Sequence, residues 1–398
     1  MKNFIVKKFF ILLLLFIQVC GCTQSPEEED SIKPGAECIS EYFKLLNNKR
    51  IAVVANQTST IGETHLVDSL LKLGVNIVKV FGPEHGFRGN AVAGEKVKNN
   101  TDIKTGLPIV SLYGEHKKPT PDDLKNVDIV IFDIQDVGVR FYTYISTMTY
   151  VMEACAENNT ELIILDRPNP HGSYIDGPVL EPGYSSFIGM HRVPVVHGMT
   201  VGEYARMVNG EGWLKNRVKC SLKVIKVHNY THNSYYKLPV APSPNLPNMN
   251  AIELYPSLCF FEGTIISVGR GTDKPFQVIG HPDFTEGNYS FSPVDIPKAA
   301  MNPKYEGEVC KGFDLSKFAD TIIFEKRLDL RWLIQMYKYF QGKDDFFNSF
   351  FDKLAGTDKL RKQIISGLSE KEIRESWKPR LTKFNKVRKK YLLYPDFK

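Results

Sequence analysis

The chain has 398 residues, 42% of them hydrophobic and 24% charged, with a net charge of +6. That is ample apolar material for a large core, and the length allows more than one domain. Setting aside the first 21 residues leaves 48 basic against 45 acidic side chains, too even a balance to argue for a nucleic-acid partner.

The amino terminus reads as an export signal. Lys2, Lys7 and Lys8 give a positive start, and 9–19 is almost wholly apolar. The run is short for a membrane-spanning helix, which needs about 20 residues. It ends in Val19-Cys20-Gly21-Cys22, which resembles the lipobox of bacterial lipoproteins, with Cys22 as the lipidated residue. We therefore expect a leader over 1–21, a membrane contact through a lipid anchor, and a place in the bacterial cell envelope, facing the periplasm or exposed on the outer membrane. The acidic stretch that follows, within 22–45, reads as a flexible tether.

From residue 46 the pattern changes. Short aliphatic runs at 51–55, 77–81, 108–112, 128–133 and 161–166 are bounded by Gly, Pro or Asn. Continuous apolar strands of this kind are buried on both faces, as in a parallel sheet. Helical spacing appears at 65–73 and 144–158, and Thr200 with Glu203 has the spacing of a capping box for a helix over 200–209. These features predict a doubly wound α/β domain over 46–215, with a TIM barrel as the alternative. The remainder, 216–398, reads as a smaller α+β domain across a cleft. It has an alternating strand at 222–227 and helices over 251–261, 328–340, 346–354 and 370–392. Five cysteines beyond the leader (Cys38, Cys155, Cys220, Cys259, Cys310) are scattered; one disulfide is possible, with no pairing implied.

Three strand ends carry the chemistry. Gly82-Pro83-Glu84-His85-Gly86-Phe87-Arg88-Gly89 follows the second strand, and Asp133-Ile134-Gln135-Asp136 runs on to Arg140 and Tyr142. The third is Asp166-Arg167-Pro168-Asn169. In a parallel sheet all three lie at one edge, where ligands bind. Crowded carboxylates there can divide into a protonated acid and an ionised base. Glu84, on a rigid Gly/Pro turn, is the expected general acid, with Asp133 or Asp136 as base or nucleophile. The second half adds polar loops containing His197, Asn245, Glu262 and Arg270. A nucleophile elbow, a phosphate loop and a dinucleotide fingerprint are all missing. A metal site from His85, Asp133 and His197 is not compelled by spacing, so no metal or cofactor is expected. Acid–base chemistry by carboxylates suits glycoside hydrolysis.

The ordered series GPEHGFRG, DIVIFDIQDVGVRFYTYISTM, LDRPNP, DGPVL, VPVVHGMTVGE, PSPNLPN and EGTIISVGRGT resembles the exo-β-N-acetylmuramidase family of NamZ type. Ile265 stands where that pattern carries Asn. The resemblance implies a Rossmann-like domain, a smaller C-terminal domain, and a site between them that releases N-acetylmuramic acid from the non-reducing end of peptidoglycan fragments. Substrate contacts are then expected from His85, Arg88, Gln135, Arg140, Tyr142, Asp166, Arg167, Asn169, His197, Asn245, Glu262 and Arg270. Muramic acid carries a lactyl carboxylate, which an arginine fork suits; Arg140, Arg167 and Arg270 are the candidates. The second catalytic group is Asp133, Asp136 or the sugar's own acetamido group. The competing reading is a lipoprotein that binds a cell-wall sugar without turning it over.

Overall fold

The computed structural model describes residues 31–89, 100–342 and 345–397. The leader, Cys22 and the first part of the tether lie outside the described residues. The strands, in chain order, are β1 (Ile51–Ala55), β2 (Thr60–Ile61), β3 (Thr64–His65), β4 (Ile77–Gly82), β5 (Asn100–Thr101), β6 (Pro108–Ser111), β7 (Ile129–Asp133), β8 (Glu161–Leu165), β9 (Leu222–Ile225), β10 (Val278–His281), β11 (Tyr289–Phe291) and β12 (Cys310–Asp314). Six of them form a parallel sheet in the order β6-β4-β1-β7-β8-β9, and β5 adds antiparallel at the β6 edge.

The aliphatic runs form this sheet because both of its faces are covered. Ala52 and Val54 of β1 point into one core, shared with the helices Tyr144–Glu157 and Val201–Gly210. Ile51, Val53 and Ala55 point into a second core with the helix Leu66–Lys72. Each buried Val or Ile contributes roughly 1.5–3 kcal/mol against leaving it in water.

The chain begins at the sheet centre with β1, winds out through β4 to β6, then returns to the other flank of β1 with β7. That reversal is a topological switch point, and the carboxyl ends of β1, β4 and β7 border the crevice it opens. The expected doubly wound sheet is the fold observed, with a smaller C-terminal region built on a three-stranded antiparallel sheet, β10-β12-β11, and helices.

Several details differ from the sequence reading. Residues 33–45, read as tether, pack against the second core: Ala36 and Tyr42 are fully buried, and Lys33 bridges to His228. The strand at Leu222–Ile225 pairs with β8 in the large sheet. All five cysteines beyond the leader are buried free thiols. The capping box at Thr200 forms as read, with Thr200 and Glu203 each accepting the other's backbone N–H. Residues Ile32–Lys398 make up one compact unit. Among the described residues no helix is long and apolar enough to cross a membrane.

Candidate active site

The turn after β4 is built under constraint. Gly86 N–H bonds the Pro83 carbonyl at 2.8 Å, closing a turn with Glu84 and His85 at its centre. His85 sits at φ +69°, a left-handed conformation uncommon for a residue with a side chain. Such strain persists only where the surroundings hold it, and it concentrates at functional sites. Gly82 is required just before: a Cβ there would stand 2.9 Å from the Phe87 nitrogen.

Glu84 and His85 line a cavity of about 150 Å³. The Thr143 hydroxyl donates to Glu84 Oε2 at 2.8 Å, fixing the carboxylate's orientation. Tyr142 and Tyr144 pack edge to face with centroids 5.0 Å apart and form one wall. The loop carrying Ser243 and Asn245 forms another. It is tied to the end of β1 by Gln57, whose Nε2 donates to the carbonyls of Ala241 and Pro242 at 3.2 and 3.1 Å. Asn245 is itself held by a 2.7 Å bond to the Ala299 carbonyl. Opposite, Arg270 Nε donates to Glu262 Oε1 at 2.6 Å, with the guanidinium lying over the Phe276 ring. Tyr255 and Phe276 complete the apolar lining.

The cavity thus gathers six of the expected site residues: Glu84, His85, Tyr142, Asn245, Glu262 and Arg270. The others lie elsewhere. Asp133 is fully buried and spans Arg167, with Nε at 2.5 Å and Nη2 at 2.9 Å. Asp166 accepts from Tyr394, Thr200 and Gly202, so it fastens the C-terminal segment and the start of a helix to the end of β8. Gln135 bonds the carbonyls of Asp136 and Pro168, and Asn169 bonds the Met199 carbonyl. Arg140 is enclosed by the carbonyls of Pro178, Val193, Leu354 and Ala355, and burial lowers its pKa to about 9. Arg88 bridges Asp68 and Asp102. His197 is sealed against Tyr204, and burial drives its pKa down to about 3.

Asp136 occupies an intermediate place. It is buried beneath the pocket tyrosines, close enough for its charge to act on Tyr142 and Tyr144. Its Oδ1 accepts from Gly138 N at 2.7 Å, and the Tyr142 hydroxyl interacts with Ser243 and Tyr144. Burial pushes the Asp136 carboxyl up to about 7. Thr143, Tyr255 and Phe276 were not singled out by sequence. Thr143 adjoins the chosen Tyr142, but only the fold shows that its hydroxyl meets Glu84. Ile265, the departure from the family pattern, is partly buried against the core and outside the cavity lining.

Two family models cover the chain: "Exo-beta-N-acetylmuramidase NamZ, N-terminal" over residues 51–250 and "Exo-beta-N-acetylmuramidase NamZ, C-terminal" over residues 253–394. The "Peptidoglycan beta-N-acetylmuramidase NamZ" of Bacillus subtilis (strain 168) is 39% identical over 414 residues, spanning 97% of this chain and 98% of that protein. Two crystal structures of DUF1343 family proteins from Bacteroides fragilis each cover 92% of this chain and 99% of their own. One is 49% identical with a TM-score of 0.86, the other 29% identical with a TM-score of 0.76. By these matches over nearly its whole described length, the chain belongs to the exo-beta-N-acetylmuramidase family of glycosidases.

Proposed function

We propose that this protein removes terminal N-acetylmuramic acid from the non-reducing end of peptidoglycan fragments, with Glu84 as the general acid. The observation that carries this reading is the placement of Glu84: a carboxyl at a strand end, on a constrained turn, oriented by Thr143 and facing a small cavity. The Bacillus relative's name supplies the substrate.

Among the described residues the carboxylates lining the cavity are Glu84 and Glu262, and Glu262 is paired with Arg270. Asp133 has both oxygens on Arg167. This division favours the sugar's own 2-acetamido group as nucleophile. Its carbonyl oxygen attacks the anomeric carbon while Glu84 passes its proton to the departing glycosidic oxygen. Water then opens the resulting oxazolinium ion and returns a proton to Glu84. Asp136 acts through Tyr142 and Tyr144, as a positioning residue beneath the reacting sugar. Arg270, the one candidate arginine in the lining, faces the lactyl carboxylate. Replacing Glu84 with Gln should slow cleavage of a muramic acid–glucosamine disaccharide by roughly 100-fold or more, the usual scale for a lost general acid. An undiminished rate would remove Glu84 from that role.

Envelope attachment through lipidated Cys22 belongs to the same proposal, resting on the export signal and on a substrate found in the cell wall. Cells fed an alkyne-tagged fatty acid should label the wild-type protein and not Cys22→Ala. Equal labelling of both would refute the anchor.

A further inference from the structure

Beside the catalytic cavity lies a second one, of about 220 Å³, and the same two residues, Glu262 and Arg270, line both. Its other walls come from residues 266–268 and 299–304, and it contains a second cation, Lys304. The two chambers are also coupled through Asn245, a lining residue of the first, whose amide holds the carbonyl of Ala299 in the second.

The charges around this partition do not balance. Arg270 and Lys304 bring two positive groups, and Glu262 alone answers them. Glu262 engages the Nε edge of Arg270, and among the described residues no carboxylate hydrogen-bonds either terminal nitrogen of the guanidinium. Lys304 Nζ donates to the backbone carbonyls of Thr264 and Ile266, and among the described residues no carboxylate forms an ion pair with it. An ammonium has three donors, so one is left over. Burial depresses the Lys304 pKa to about 8, with the Glu262 charge opposing only part of that cost. A half-buried cation resting on carbonyls beside a half-used arginine is a site suited to a negative group.

The geometry points to Arg270 and Lys304 as a two-cation clamp for the lactyl carboxylate, with the lactyl arm of the terminal sugar entering the second cavity past Glu262. Lys304 is then a specificity-determining residue: it separates muramic acid from N-acetylglucosamine, which lacks the arm. The inference rests on the reading of the first cavity as the muramic acid site.

The test is calorimetric titration of the full chain with N-acetylmuramic acid and, separately, with N-acetylglucosamine. It uses wild type, Lys304→Met, Lys304→Arg and Arg270→Lys, with melting temperatures as the folding control. Loss of one charge-assisted contact should weaken muramic acid binding about tenfold to a hundredfold in Lys304→Met. Binding of N-acetylglucosamine should move much less, and Lys304→Arg should recover part of the loss. Arg270→Lys should impair the same ligand selectively, because a point charge does not replace the fork. Equal losses for both sugars, or none for either, in folded Lys304→Met would overturn the clamp. If wild type bound muramic acid selectively but released none from the disaccharide, the glycosidase reading would fall and the clamp would stand.

Discussion

At the scale of single residues, the carboxylates of the strand edge divide by partner. Glu84 meets a hydroxyl, Asp133 a guanidinium, Asp166 a set of neutral donors, and Asp136 the backbone N–H groups of Val137 and Gly138. Only the first faces the cavity. The buried Asp133–Arg167 pair is therefore assigned to architecture, joining β7 to the loop after β8. Arg167→Met should cost about 3–5 kcal/mol, because it leaves a carboxylate buried and unpaired. Adding Asp133→Asn should recover much of that loss. Denaturant unfolding of the two variants measures it. A variant with unaltered stability and no activity would instead put the pair in the chemistry. None of this division was visible in the sequence. Asp133 and Arg167 are 34 positions apart, and Asp166 and Tyr394 are 228 apart, so partner choice is a property of the fold. Glu84 was legible because its signals are local: a strand, a turn rich in Gly and Pro, and a carboxyl between them.

At the scale of elements, legibility followed burial. Strands β1, β7 and β8 are covered on both faces and so read as nearly continuous apolar runs, whereas Lys79 interrupts β4 at a half-buried position. The helix cap at Thr200 is written in residues three apart and forms with reciprocal bonds, and the structure shows a second such box, not read from the sequence, at Ser369. The antiparallel strands β10, β11 and β12 were missed. They are three to five residues long and carry Gly280 and Gly312, whose backbones pack so closely that a Cβ on Gly312 would overlap the Ile279 carbonyl. Glycine there serves close approach and weakens the strand pattern. The segment 33–45 misled for another reason. Its short helices are too brief to show a period, and only the core they cover explains Tyr42 and Leu46. The arms of the active site follow the same rule: the turn after β4 is local, whereas Tyr255, Phe276 and Arg270 arrive from the second half of the chain.

At the scale of the molecule, the buried ionisable groups set a pH dependence with a definite sign. Burial raises Asp136 from 3.8 to about 7 and Glu253 from 4.5 to about 8. The folded state holds those protons after the unfolded chain has lost them, so stability falls as pH rises toward the folded values. Burial lowers His171 and His191 to about 4 and His197 to about 3, from 6.5. These histidines make stability rise with pH, but only up to 6.5. Between pH 6.5 and 8 the two acids act without that opposition, so the melting temperature should decline across this window, on the order of 1–2 kcal/mol in stability. Asp136→Asn and Glu253→Gln should each flatten the decline in calorimetric scans. A flat or rising wild-type curve would show that these acids are not protonated in the folded state.

The same arrangement leads to one chemical claim: a sugar seated at the end of β4 loses its leaving group to a proton from Glu84, with its own acetamido group as nucleophile. Proton NMR of muramic acid–glucosamine disaccharide cleavage by wild type and Glu84→Gln addresses it directly. The predicted result is release of N-acetylmuramic acid as its β-anomer by wild type, slowed at least about 100-fold in a variant that melts normally. An α-anomer as the first product, or an unslowed variant, would contradict it.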